Sequence, residues 1–252
     1  MICAALAVFG GSALAAPAYV QGGIGNDTSG NTGHTTIAVT LGSAVSSGDT
    51  VCGAVTFYYS SSGSLTSVTD DKSNTYAIID TQPGNNSTTS FCAYNITNAP
   101  TTITATYVSD DAGYATIIAD EYSGVAASPL DVHATNTQSS PSTSTNAVTS
   151  TNATTSANGD LIYGVTMEAV VSNFVTAGTG FTQRELQNTG SGATYSASSE
   201  DLVQATAGSV ASTYTISSSN GTWNTFVIAL KAAAPPTPGC KGAHMSMLGV
   251  GC

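Results

Sequence analysis

Charge is what this sequence has least of, and positive charge is nearly missing: four Lys and Arg stand against fifteen Asp and Glu, for a net charge of −11 at neutral pH. A surface this acidic repels phosphate backbones and anionic headgroups, which excludes nucleic acid and membrane surfaces as partners. No stretch reaches the roughly 18 apolar residues of a membrane-spanning helix, and none carries a helical period. Catalytic signatures are missing too: there is no G-x-S-x-G, no H-E-x-x-H, no Gly-Lys phosphate motif and no E-x-D-x-x-E to set paired carboxylates on one strand face. His34, His133 and His244 are isolated from one another, so each is expected as a structural or surface histidine rather than a metal ligand.

What the sequence does contain comes in short runs. Apolar segments at 51–59, 115–119 and 226–230 recur in a background of Ser, Thr, Asn and Gly, and 41% of residues are hydrophobic, which supplies a core that disordered chains lack. Runs of β-branched and aromatic residues bounded by Gly, Asn, Asp and Ser return roughly every 8 to 12 residues, the all-β signature. The expected fold is therefore an all-β, two-sheet antiparallel β-sandwich of jelly-roll-like form.

Residues 1–15 read as a signal-peptide-like leader: a short apolar stretch ending in Ala13-Leu14-Ala15, which fits a cleavage site, although the usual Lys/Arg start is missing. The β-sandwich domain spans 16–232. A Pro-rich linker follows at 233–239, then an apolar tail at 240–252 bracketed by Cys240 and Cys252. Without the leader four cysteines remain, and the least strained of the three pairings joins Cys52 to Cys92 and Cys240 to Cys252. An exported chain favours disulfides.

The domain contains an internal echo. Gly48-Asp49-Thr50-Val51-Cys52-Gly53 aligns with Gly159-Asp160-Leu161-Ile162-Tyr163-Gly164, 111 positions on (48 to 159), and the segment from Tyr114 aligns with that from Trp223, 109 positions on (114 to 223). This suggests a duplicated half with a common strand order. The joint at 136–158 has one proline and no glycine, poor linker chemistry, so one continuous sandwich is expected with that joint crossing its surface.

The features that carry a resemblance are Gly159-Asp160-Leu161-Ile162-Tyr163-Gly164, Glu121-Tyr122-Ser123-Gly124 with Pro129-Leu130-Asp131, Gly180-Phe181-Thr182-Gln183-Arg184 and the strand from Trp223 to Lys231. In them the sequence resembles a largely uncharacterised group of secreted bacterial β-sandwich domains of exported and surface proteins. The resemblance covers roughly 36–232 and implies fold and export rather than a reaction. Cys52 and Cys92 depart from the group's pattern.

Few residues are candidates for chemistry. Glu121 is in phase with Ile117 and Ala119 on an inward strand face. It is read either as a catalytic acid of raised pKa or, preferably, as an acceptor for backbone donors of the loop 123–130. Tyr114 and Trp223 are placed at equivalent positions, where aromatic rings either stack on sugar faces as ligand-binding residues or close the core. Asp70-Asp71 and Asp110-Asp111 would suit calcium, but turn-forming Asp explains them equally, so no cofactor is expected. The leading expectation is a non-catalytic extracellular binding or surface module with a polysaccharide or surface protein as partner. The alternatives are a self-assembling structural subunit of a surface layer, appendage or filament, and a hydrolase with a carboxylate site at Glu121.

Overall fold

Short runs of Val, Ile, Thr, Tyr and Phe between turn residues do form strands throughout. The computed structural model describes residues 16–27, 35–58, 65–83, 86–108, 115–138, 146–169, 175–188, 195–217 and 222–234. The leader, His34, Asp110, Asp111, Tyr114, His244, Cys240, Cys252 and residues 235–239 of the Pro-rich linker lie outside the described residues. In chain order the strands are β1 (Ala18–Asp27), β2 (Thr36–Thr40), β3 (Thr50–Tyr58), β4 (Leu65–Asp70), β5 (Ala77–Gln82), β6 (Asn86–Ala93), β7 (Thr102–Tyr107), β8 (Ala115–Ser123) and β9 (Val125–Gln138). They continue with β10 (Ala147–Thr149), β11 (Ala153–Thr154), β12 (Asp160–Ala169), β13 (Val175–Ala177), β14 (Thr182–Gln187), β15 (Tyr195–Gln204), β16 (Ser209–Val210), β17 (Thr213–Ile216) and β18 (Thr222–Ala232). The protein is all-β, every pairing is antiparallel, and no helix among the described residues is long and apolar enough to cross a membrane.

The sandwich is thicker than two sheets. One five-stranded sheet has the order β1-β8-β3-β6-β5 and is covered by the three-stranded sheet β2-β7-β4. A second five-stranded sheet has the order β14-β15-β12-β18-β9 and is covered by β10-β17-β13 and the two-stranded β11-β16. The two five-stranded sheets then pack on each other, giving four layers.

Side-chain alternation assigns the faces. On β3, Val51, Val55 and Phe57 enter the core beneath β2, β4 and β7, while Cys52 and Ala54 point the other way. On β12, Leu161, Tyr163, Val165 and Met167 meet Cys52, Ala54 and Ile118 in a core between the two large sheets, which we call the seam. Ile162 faces the outer cover instead. Strands buried on both faces are rich in apolar residues on both phases, which is why the segments at 51–58 in β3, 115–119 in β8 and 226–230 in β18 stand out in the sequence.

The two halves share one strand order. Reading β9 for β1, β10 for β2, β12 for β3, β13 for β4, β14 for β5, β15 for β6, β17 for β7 and β18 for β8 reproduces the first half's large and small sheets. Turn bonds recur as well: Gly48 N–H donates to Ile96 O and Gly159 N–H to Gln204 O, both at 2.8 Å. Gly48 and Gly159 have φ of 92° and 80°, which lets the chain reverse into each central strand.

The register corrects two details of the sequence reading. Phe57 pairs with Ala115 and Glu168 with Trp223, so the counterpart of Trp223 is Ala115, not Tyr114; the same pairing makes Ala229 the counterpart of Glu121. The halves also meet at Gly124, where the chain leaves β8 and enters β9 with a φ of 72°, rather than at 136–158. The joint looked later because β9, as the partner of β1, belongs to the second half.

Candidate functional site

Most of the polar residues that stand out chemically face inward, in four clusters. At the first, Glu121 on β8 is fully buried beside Ile117 and Ala119. Its Oε1 accepts the Ser46 backbone N–H at 2.8 Å, and its Oε2 accepts the Gln21 side-chain amide. The donors come from the turn before β3 and from β1, not from 123–130 as the sequence reading expected; that stretch is strand on both sides of Gly124, and its amides serve the sheets. Burial, and then contact with Glu121, raises neighbouring Asp49 to about 6.

The second cluster is the second half's version of the first. Asp160, the counterpart of Asp49, opens β12 and is fully buried. Burial and then contact with Asp131 raise it to about 6. Asp131 moves the opposite way: burial opposes its ionisation, but Lys231 and Ser156 hold it well below the usual carboxylate range.

The third lies between β15 and the outer cover. Glu200 accepts the Gly178 N–H, the Ser212 hydroxyl and the Thr213 N–H, all within 3.0 Å, and so ties the turn after β13 to the start of β17. Burial raises Glu200 to about 7 despite these donors.

The fourth sits in the seam. Asp120 on β8 is fully buried, accepts the Tyr163 hydroxyl at 2.8 Å, and is raised to about 8 by burial. Beside it Arg184 forks onto Asp201 at 2.8 and 3.0 Å and lies 4.6 Å over the Tyr19 ring, whose hydroxyl donates to Glu185 at 2.9 Å. The cluster joins edge strands β1 and β14 of the two large sheets. At the opposite edge His133 Nδ1 lies 3.2 Å from Asp80, and Gln82 donates to Thr135 at 3.1 Å.

The remaining sequence candidates are placed as follows. Trp223 is buried against Val148, Tyr214 and Ile216, in the core under β10 and β17. Cys52 and Cys92 are directly opposed on β3 and β6, with Cα atoms 4.1 Å apart, and form a disulfide in the seam. Asp70 accepts Lys72 N–H and both Asn74 donors, while Asp71 accepts Thr101 and Thr102 N–H, so the pair organises its own turn. Among the described residues no group of three or more His, Cys, Asp or Glu has metal-site geometry.

One feature that sequence reasoning missed faces solvent. A shallow cleft of about 100 Å³ lies between β4 and the β5–β6 edge, lined by Leu65, Ile78, Thr81, Ser87 and Thr89. Ile78 is 48% exposed there, beside a Thr81–Thr89 hydroxyl contact of 3.1 Å. Its signal in the sequence is an isoleucine on the outward phase of an edge strand, indistinguishable from core before the register is known. Compared with protein-family models, curated proteins and solved structures, the chain matches none.

Proposed function

We propose that the chain is a non-catalytic extracellular binding or surface module whose ligand is a polysaccharide, bound at the cleft of Leu65, Ile78, Thr81, Ser87 and Thr89. The observation that carries this reading is the chemistry of the cleft: two aliphatic side chains, Leu65 and half-exposed Ile78, for the C–H face of a sugar ring, with the exposed Thr81 hydroxyl beside them for its OH groups. The surrounding molecule agrees with such a role, since Glu121 and Glu200 use their oxygens to hold turns of the same chain. Export is part of the proposal, and the buried Cys52–Cys92 disulfide is the kind of bond that persists in oxidising compartments.

The test is co-sedimentation of purified protein with insoluble polysaccharides, repeated with Ile78→Asp and Thr81→Ala. Retention of the wild type that falls at least several-fold in both folded variants supports the assignment. Turnover of a polysaccharide or ester substrate that disappears in folded Glu121→Gln overturns it in favour of a hydrolase. A second reading, a structural subunit of a surface layer or filament, draws on exposed Val20 and Leu186, which sit on the stacked edge strands β1 and β14. Electron microscopy of native material decides it: ordered arrays favour the subunit.

A further inference from the structure

Three elements bring one amine and two carboxyls together at one end of the outer face of the β12 sheet. Lys231, near the end of β18, places Nζ 2.6 Å from Oδ1 of Asp131. Asp131 is the extra residue of a bulge in β9, between Leu130, which pairs with Leu230, and Val132, which pairs with Ala229. Its side chain is only 6% exposed, and the Ser156 N–H and hydroxyl donate to its two oxygens. Asp160 lies against it, fully buried, and neither of its oxygens has a hydrogen-bond donor among the described residues.

The first half supplies an internal comparison. There Ser46 N–H donates to Glu121 as Ser156 N–H does to Asp131, and Asp49 stands where Asp160 stands. The nitrogen facing Glu121 belongs to the Gln21 amide. An amide nitrogen is not a nucleophile; a lysine amine is. In the second half the two strands exchange roles, with the acid Asp131 on β9 and the nitrogen of Lys231 on β18, so an acid beside an Asp at the matching position now faces an amine, held in contact and partly out of water, the arrangement in which a bimolecular condensation becomes an intramolecular one.

We propose that Lys231 and Asp131 condense to an intramolecular isopeptide bond, with Asp160 as the proton shuttle. The Lys231 ammonium passes a proton to the Asp131 carboxylate through their short contact, leaving a neutral amine and a neutral acid. Nζ attacks Cγ of Asp131 to form the N–C bond. Asp160 gives its proton to the departing hydroxyl as the C–O bond breaks, and recovers one from the nitrogen. The products are an amide and one water; one positive and one negative charge are lost together, and Asp160 ends as it began. No oxidant, metal or second substrate enters.

Mass spectrometry of the full chain, denatured and reduced, tests this. The wild type is expected to be lighter by one water than its sequence requires, and tandem fragmentation should find a branched peptide joining the Asp131 and Lys231 segments. Lys231→Arg removes the nucleophile, and Asp160→Asn, which keeps the shape of the site and the Lys231–Asp131 contact, removes the shuttle; both should retain full mass. Wild-type protein of full mass after prolonged incubation overturns the proposal. So does water loss with Lys231 still open to amine acylation, because that product is a succinimide at an aspartate.

Discussion

Tyr163 on β12 and Asp120 on β8 meet across the seam, the phenol donating to the carboxyl at 2.8 Å with both side chains shielded from solvent. Each is set on its face by strand alternation, and each comes from the central part of a different large sheet. Their contact therefore reports directly on how the two halves are joined.

Because burial raises Asp120 to about 8 from an unfolded value near 3.9, the folded state binds this proton more tightly than the unfolded chain. Its contribution is complete below about pH 4 and is lost as pH rises through about 8. Glu200, Asp49 and Asp160 are raised as well and add the same sign at lower pH. Depressed Asp131 acts oppositely, losing stability as pH falls below the usual carboxylate range. Urea midpoints should thus be higher near pH 5 than at pH 9. Asp120→Asn should flatten the decline between pH 6 and 9; an unchanged slope in that variant would remove Asp120 as its source.

The Cys52–Cys92 bridge closes a loop with a sequence separation of 40. In the chain-entropy model that adds roughly 3 to 4 kcal/mol, so Cys52→Ala/Cys92→Ala should lower the unfolding free energy by about this much. Both sulfurs are buried. Alkylation of native protein should find neither, and reductant should act only once the seam opens.

Gly53 and its counterpart Gly164 test how rigid the central strands are. A Cβ at Gly53 would sit 2.1 Å from the Ile118 carbonyl oxygen and 2.7 Å from the Phe91 ring, and backbone cannot step aside. At Gly164 it would meet the Ser212 hydroxyl at 2.3 Å and the Glu200 side chain at 2.8 Å. Gly53→Ala should cost about 1 to 3 kcal/mol or more, and Gly164→Ala less, read as a shift in urea midpoint at constant m.

Glu121→Gln exchanges one acceptor for an amide that faces a donor, either Ser46 N–H or the Gln21 amide. Leaving one of these unmatched should cost about 1 to 3 kcal/mol. The local readout is faster hydrogen exchange at Ser46, with the strand amides of β3 and β8 still protected.

The all-β class, the positions of the long strands and the Cys52–Cys92 pairing were legible because each rests on local pattern: β-branched runs, turn residues and two cysteines within one half. The layer count was not. Unbroken burial on β3 and β8 announces that both faces are covered, but only the pairing reveals that one cover is the other half of the chain. Glu121 shows why polar clusters escape a linear reading. Its phase placed it inward beside Ile117 and Ala119, yet its partners Gln21 and Ser46 lie 100 and 75 residues away, and no spacing rule connects them. Asp120 looked unremarkable because its raised pKa comes from a sheet that the sequence does not show stacking on β8.

In the seam, β1 lies against β14, β8 against β15, β3 against β12 and β5 against β9, while Asn224 of β18 reaches Thr88 of β6. Exchanging every strand for its counterpart returns the same set of neighbours, the property of a two-fold interface between like subunits. The molecule is thus arranged as a dimer whose protomers share one backbone, linked at Gly124. That link replaces a concentration-dependent equilibrium by a fixed effective concentration on the order of millimolar or above. Assembly of the layers is then independent of dilution, and matching positions in the seam carry different pairs, a disulfide at Cys52 and Cys92 and a Tyr163–Asp201 pair in the other half.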